Sequence, residues 1–563
     1  MEYKKSILKA LLPVVGEHLS EEEIESLIEI PNNSEFGDLA FPVFSLAKVY
    51  RQAPNKIAEE LIEKIDASDF ESMNAIGPYI NFKLNRESVS KTVLKEVLTQ
   101  GENYGAQDIG KGGNAPVDMS SPNIAKPMSM GHLRSTVIGN AVGNILEKVN
   151  YKVIRINHLG DWGTQFGKLI VAYKKWGDEE IVKQDPVNEL VKLYVDFHDK
   201  ADLDPSLEEE ARAAFKRLEE GDEEMYELWS WFKEESLKEF NKIYEILGIT
   251  FDSYNGESFY NNKMQEVLDE LENQGISTIE NGATIVRLEE EGLPPALIKK
   301  SDGATLYLTR DLATAYYRKR TYDFVESVYV VGNEQANHFK QLKAVLKRLG
   351  HDWAENMHHV PFGLITLGGK KLSTRKGKII LLEDVLNEAI KLAEEQILLK
   401  NPDLENKDEV AKQVGVGAVI FHDLKKDRLN SFDFKIEEIV QFEGETGPYV
   451  QYSYVRTRSL LEKYGKEINL DRLSGLEDDY SWEVIKKLED YGKAIRQAAA
   501  AYEPSVVTKY LIQLAQMFNK YYGNTRILED NGQLESRMAL VEATSVILKD
   551  GLHLLGIEVP EKM

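Results

Sequence analysis

Two short stretches carry the residues best suited to gripping a nucleotide. Residues 120–136 read S-S-P-N-I-A-K-P-M-S-M-G-H-L-R-S-T, and residues 368–378 read G-G-K-K-L-S-T-R-K-G-K. In the first, Gly131 lets a ligand approach the backbone. His132 falls where a helix must begin, because apolar residues recur at helical spacing over residues 133–149. Free N–H groups and the positive end of a helix attract phosphate, and Arg134 adds a fixed charge. The second stretch sets four lysines and an arginine in a Gly-bracketed loop, which suits a triphosphate whose charge redistributes during reaction. Singly, the first also reads as a turn with a polar cap and the second as a solvated basic face. Together, in this order, they point to a nucleotide site.

The elements that must position them follow. Residues 115–119 read as a buried strand ahead of the first turn, giving strand, turn and helix as in a parallel α/β sheet. Residues 151–156 read as the second strand. The polar loop at 157–167, with Asp161, Trp162 and Gln165, falls at its carboxyl end, where open α/β sheets bind ligands. Residues 305–308 read as a strand, with Thr309 capping a helix over 310–320. Tyr307 and Asp311 are four apart across that junction. A carboxylate beside an aromatic ring suits a guanidinium; equally, Asp311 could complement the helix dipole while Tyr307 packs. Residues 328–331 are the next strand, followed by Glu334, Gln335 and His338, and 358–367 read as the last core strand. Residues 178–290 read as an acidic helical insertion with a solvated face and no visible chemistry. Residues 105–112 have G-x-x-x-x-G-K spacing but lack the Ser or Thr and the flanking strand and helix of a phosphate loop, and read as a flexible linker.

The two stretches resemble the HIGH and KMSKS signatures of class I aminoacyl-tRNA synthetases. N-H-L-G-D-W-G-T-Q-F-G (157–167), S-D-G-A-T-L-Y-L-T-R-D (301–311) and E-T-G-P-Y-V-Q-Y (445–452) are similar to arginyl-tRNA synthetases in particular, and the likeness runs from E-F-G-D-L-A near Phe36 to the terminal I-E-V-P-E-K-M. The resemblance implies ATP-dependent ligation of L-arginine to tRNA(Arg) through an arginyl-adenylate, with Mg2+ accompanying ATP, in a cytoplasmic monomer. By that resemblance Ser129, Gly131, His132, Lys371 and Ser373 hold ATP; Ser121, Asn123 and His132 orient the α-groups of arginine; and Tyr307, Asp311 and Gln335 hold its side chain. His132, Lys126, Lys371 and Ser373 are the catalytic set. Two positions depart from the family pattern: Ser129 replaces the first His of HIGH, and Thr374 replaces the second Lys of KMSKS. Lys126 resembles the lysine that stands in for the latter. Two other readings remain at this stage, a small-molecule nucleotidyltransferase with the same turn and a non-catalytic RNA-binding protein.

Length and composition bound this picture. A chain of 563 residues with 42% apolar content is too long for one core. The implied fold class is a Rossmann-like α/β parallel-sheet catalytic domain at 111–440, with the insertion at about 178–295. It is joined to a small α/β N-terminal domain at 1–110, touching the tRNA elbow, and an all-α anticodon-binding bundle at 441–563. Tyr79 and Asn81 fit the signature of the first. In the last, Lys520, Tyr522, Asn524 and Arg526 alternate aromatic and basic character, which suits stacking on unpaired bases, and Arg456 and Arg458 are placed with Tyr522 and Arg526 as RNA contacts; a bundle core with a charged rim is the equal alternative. Cysteine is absent, so disulfides and Cys-held zinc are excluded, and no protein-held metal is expected. No secretory signal or membrane-spanning run is legible. Lys plus Arg total 69 against 94 Asp plus Glu, a net charge of −25. RNA contact would therefore need a local basic stripe, not a uniformly basic surface.

Overall fold

The computed structural model describes residues 2–367, 370, 371, 374, 375 and 378–563; the side chains of 2, 3, 5, 34, 367, 370, 371, 374, 375, 378 and 379 are not part of that description. The N-terminal region forms an antiparallel sheet in the order β1 (Leu39–Pro42), β3 (Tyr79–Leu84), β2 (Phe70–Ile76). Residues 75–84, whose apolar and polar residues alternate as in a single strand, are divided between two. Gly77, with φ +57°, turns the chain between two strands that pair in register.

The central sheet is parallel, in the order β10 (Met357–Val360), β9 (Ser327–Val330), β4 (Asn114–Asp118), β5 (Lys152–Ile156). β4 carries Pro116, which has no N–H to give. Its ladder with β9 begins only at Val117, one residue later. The chain runs from β4 outward to β5 and then returns to the other side of β4 for β9. The crevice between the carboxyl ends of β4 and β9 is therefore a topological switch point, the place where such sheets bind ligands. A short 3-10 turn, Met130–His132, leads into the helix Leu133–Lys148, whose Val137, Ile138, Ala141, Val142 and Ile145 are fully buried.

Three elements differ from the sequence reading. The insertion is helical through Glu223–Leu247 but also contains an antiparallel sheet, β6 (Ser277–Glu280), β7 (Ala283–Val286) and β8 (Ala296–Lys299). There is no strand at 305–308: the helix begins at Tyr307 and runs to Tyr322, with Leu306 at the N-cap. Thr309 is not the cap, and its hydroxyl instead donates to the Ile298 carbonyl at 2.6 Å. Finally, 358–367 is not one strand. Pro361 and Gly363 interrupt it, and β11 (Ile365–Leu367) joins a second sheet between β12 (Lys370–Lys371) and β15 (Phe432–Asp433), beside the hairpin β13 (Thr374–Arg375) and β14 (Lys378–Ile379).

Residues 105–112 are turns, and they are anchored. Gln107 Nε2 donates to the Gly492 carbonyl at 2.8 Å, and the Gly110 N–H to the Val149 carbonyl at 2.8 Å. Beyond residue 441 every regular element is helical, from Gly447–Tyr464 to Leu534–Leu554. Val507, Tyr510, Leu511, Leu514, Phe518 and Tyr521 form a buried stripe on the helix Ser505–Asn524, as their spacing demands. This bundle docks on the N-terminal region. The Trp482 indole donates to Asp38 at 3.0 Å, the other Asp38 oxygen accepts the Leu84 N–H at 3.0 Å, and Arg86 pairs with Asp479 at 2.8 Å.

Candidate active site

The turn leaving β4 is held in an unusual backbone shape. Ser120, Ser121 and Ala125 have φ of 68°, 52° and 59°, and a left-handed non-glycine costs about 1–3 kcal/mol. Buried hydrogen bonds over-determine the shape. Ser120 N–H donates to Ser135 Oγ at 3.0 Å, and Ser135 Oγ donates to the Val330 carbonyl at 2.7 Å, tying the ends of β4 and β9 together. The Ser120 hydroxyl meets Tyr244 OH at 2.7 Å, and the Ser121 N–H donates to Asn157 at 3.1 Å. Asn123 bridges Gly160, where an added Cβ would stand 2.0 Å from the Asn123 Oδ1.

His132 follows at the helix start. Its Nδ1 accepts the Ser129 N–H at 3.1 Å, so the neutral ring carries its proton on Nε2. Burial pushes its pKa down, with Lys126 adding in the same direction. Lys126 is exposed, and it lines a cleft of about 410 Å³ together with Asn123, Ser129, His132, Gln165 and Tyr194. The chain that leaves the Lys-rich stretch, residues 380–382, pairs with the edge of this cleft. Ser129 bridges Leu381, Met130 N–H donates to the Ile380 carbonyl at 3.2 Å, and Leu382 N–H donates to the Met128 carbonyl at 2.9 Å. Lys371 pairs by its backbone with Thr366. Its side chain and the whole of Ser373 lie outside the described residues.

Beside this turn lies a group of acidic side chains that act on one another. Asp118, at the end of β4, accepts from the Ser121 hydroxyl at 3.1 Å and is locked to the buried Arg318 at 2.8 Å. Asp161 is fully buried and satisfied by Lys233 at 2.6 Å and by Ser258. Asp311 projects from the second turn of its helix, where its carboxylate meets His338 Nε2 at 2.5 Å. Tyr307, one helical turn earlier, is 71% exposed, and Gln335 is exposed after β9. Glu257 completes the group. Burial raises its carboxyl pKa to about 7, partly offset by Arg310, while Asp161 and Asp311 push it further up. A carboxyl that burial, aided by nearby anions, keeps partly protonated near neutrality is poised to ionise when a cation arrives.

The family comparisons agree along the whole chain. Residues 93–436 match the family described as tRNA synthetases class I (R), catalytic domain; residues 1–84 match the arginyl tRNA synthetase N terminal domain; and residues 450–563 match the DALR anticodon binding domain. The chain is 62% identical to an arginine–tRNA ligase of Enterococcus faecalis and 58% identical to one of Ligilactobacillus salivarius, each over the full length of both chains. The chain belongs to the arginyl-tRNA synthetase family. Its fold matches the arginyl-tRNA synthetases of Thermus thermophilus (TM-score 0.80, 25% identity, all of both chains) and Plasmodium falciparum (TM-score 0.81, 26% identity, 100% and 99% of the two chains).

Within this synthetase, the structure brings Asn123, Lys126, Ser129 and His132 to one cleft and places Tyr307 and Asp311 on one helix face. It removes others. Arg134 supplies no charge to the cleft: it is 1% exposed and faces Asp423 at 3.4 Å. Asn81 is 3% exposed within the N-terminal sheet, which withdraws it from any surface contact with RNA. Tyr79 is half-buried, edge-on to the exposed Phe44 at 5.7 Å. In the helical domain Arg456 lies over Tyr522 at 4.4 Å and donates to Asn519, Arg458 pairs with Glu561 at 3.0 Å, and Arg526 is exposed. Sequence reasoning missed Glu257, Tyr244 and Lys233, all in the insertion it took for a solvated face. One signal was available: Glu257 is the one charged residue in the aromatic and polar run S-Y-N-G-E-S-F-Y-N-N, residues 253–262. Among the described residues no cluster of three or more His, Asp or Glu could hold a metal ion, and no helix is long and apolar enough to cross a membrane.

Proposed function

We propose that this synthetase activates L-arginine with MgATP and transfers it to tRNA(Arg), acting as a cytoplasmic monomer. An arginine carboxylate oxygen attacks the α-phosphorus in line, and the bond to the pyrophosphate oxygen breaks. The terminal ribose hydroxyl of the tRNA then attacks the arginyl carbonyl, and AMP leaves. Little covalent work falls to the protein; positioning and charge stabilisation carry the rate.

Gly131 and the Met130–His132 turn receive the triphosphate, with the His132 Nε2–H as a donor. Lys126, Lys371 and Ser373 stabilise the leaving pyrophosphate. Mg2+ enters with ATP as part of the substrate. Ser121 and Asn123 orient the amino and carboxylate groups of arginine, while Asp311, Glu257, Tyr307 and Gln335 surround the guanidinium. Arg456, Arg458, Tyr522 and Arg526 face the RNA, with Tyr79 on the N-terminal domain.

The observation that carries this reading is the adjacency of the two half-sites. Asp118 and residues 157–161 belong to both, so an arginine anchored by its guanidinium among these carboxylates would present its own carboxylate to the phosphate turn. Arginine-dependent exchange of labelled pyrophosphate into ATP, measured with tRNA present, tests it. Exchange with arginine but not with citrulline, which lacks the positive charge, is expected; exchange indifferent to that charge would refute the pocket assignment.

A further inference from the structure

Residues 361–363, which break the strand between β10 and β11, are gripped by two guanidinium groups. Arg134 Nη1 donates to the Gly363 and Asn430 carbonyls, each at 3.0 Å, while its plane lies over Phe432 at 5.0 Å and Phe362 at 5.9 Å. Arg428 donates to the Pro361 carbonyl at 3.1 Å, and its own carbonyl accepts the Gly363 N–H at 2.8 Å. The remaining Arg428 nitrogens reach the Tyr502 and Ala501 carbonyls at 3.2 and 3.3 Å. These carbonyls end the helix Tyr491–Ala501 of the C-terminal domain, with Tyr502 closing it at φ +49°. Tyr502 OH in turn donates to Glu326 at 2.7 Å, which also pairs with His358 at 2.7 Å.

We propose that Arg134 and Arg428 are positioning residues for ATP, setting the turn at 361–363 so that the strand carrying Lys371 is held in register with His132. Arg134 stands two residues after His132 on the same helix, and β11, rooted at 361–363, pairs with the strand of Lys371. The other root of that loop is fixed by the pairing of 128–130 with 380–382. Arg428 extends the grip to the C-terminal helices, so a displacement there reaches the ATP half-site through one turn. Stability alone is a poor reason for this arrangement. Among the described residues Arg134 Nη2 and Asp423 Oδ2 have no hydrogen-bond partner, burial raises the Asp423 pKa, and a buried ion pair is often replaceable by apolar packing at no loss. A planar fork that meets two carbonyls and stacks on a ring is something lysine cannot reproduce.

The proposal rests on the reading that residues 131–132 and 371 hold the triphosphate. The test compares full-length wild type, Arg134→Lys, Asp423→Asn, Arg428→Lys and the double Arg134→Lys/Arg428→Lys chain, by exchange assay with tRNA present, alongside thermal melting. The KM for ATP should rise about tenfold or more in Arg134→Lys, as for a catalytic group misplaced by a fraction of an ångström. KM for arginine and Kd for tRNA should stay within about twofold, since the acidic pocket and RNA surface keep their contacts. Arg428→Lys should shift the same constant less, and the double chain should show less than the product of the two. Equal changes in both KM values, or a lower melting temperature with unchanged KM for ATP, would overturn it. If Arg134→Lys is insoluble, Asp423→Asn and Arg428→Lys decide between the same two outcomes. A wild-type chain without arginine-dependent exchange would sink the functional reading instead.

Discussion

Residues 120–125 keep their shape through the backbone, whereas Tyr307 and Gln335 stand as exposed side chains and Asp311 is half-buried beside His338. The first region spends strain on three left-handed residues and recovers it through buried bonds from Ser135, Tyr244 and Asn157. The second starts on an ordinary helix turn, and Tyr307 remains 71% exposed. The difference follows from the ligands. Phosphate oxygens are read by fixed N–H groups, which only a rigid turn can aim. A guanidinium is read by carboxylates, which a helix delivers at little structural cost. Changes to the residues that hold the turn's shape should therefore damage fold and function together, and changes to Tyr307 or Asp311 function alone.

The largest expected effect tests the pocket side. Asp311→Asn should melt like wild type yet raise KM for arginine by ~30- to ~5000-fold, since losing one partner of a desolvated charge pair costs roughly 2–5 kcal/mol. Steady-state kinetics and a melting curve check both halves; a lowered melting temperature would blur the contrast. On the turn side, two glycines separate shape from access. Gly160→Ala places its Cβ 2.0 Å from Asn123 Oδ1 and should lower melting temperature and activity together. Gly131→Ala meets only Ser129 Oγ, at 3.4 Å, and should melt normally. Its methyl would stand in the phosphate approach, raising KM for ATP on the order of a hundredfold.

A pH titration sharpens the comparison further. The Glu257 pKa of about 7 means that the carboxyl ionises as pH rises through neutrality. Arginine KM should fall about tenfold per unit on approach to pH 7 from below and level off above it, because the cation binds the ionised form. In Glu257→Gln that slope should vanish. The stability sign is opposite. The folded pKa lies above the ordinary 4.5, so folding becomes costlier as pH rises from about 4.5 to about 7. Glu257→Gln should then melt higher than wild type at pH 8. The smallest effect belongs to Tyr307→Ala: the loss of a ring over the guanidinium should raise arginine KM by ~2- to ~30-fold, for about 0.5–2 kcal/mol, with melting unchanged.

What was legible in the sequence was local or repeated. The turn ahead of the helix at 133, the parallel strands around it and the helical stripe from Val507 to Tyr521 follow from spacing over a few residues, while the order of the domains came from the family resemblance. What was not legible depended on partners far away in the chain. Gly77 and Pro361 sit inside runs that alternate like continuous strands, and only sheet pairing shows the breaks.

The sequence by itself determined which chemistry is present: a glycine and a histidine at a helix start, a lysine-rich loop some 240 residues on, and a tyrosine–aspartate pair four apart. Only the tertiary structure decided which charges face a ligand. It buried Arg134 against Asp423 and closed Asp161 with Lys233, while among the described residues Asp311 meets a histidine and Glu257 lies near Arg310 without a lysine or arginine ion pair. The reason is that a residue's type fixes its charge, but its burial and partners are sums over the whole packed chain, which no local pattern contains.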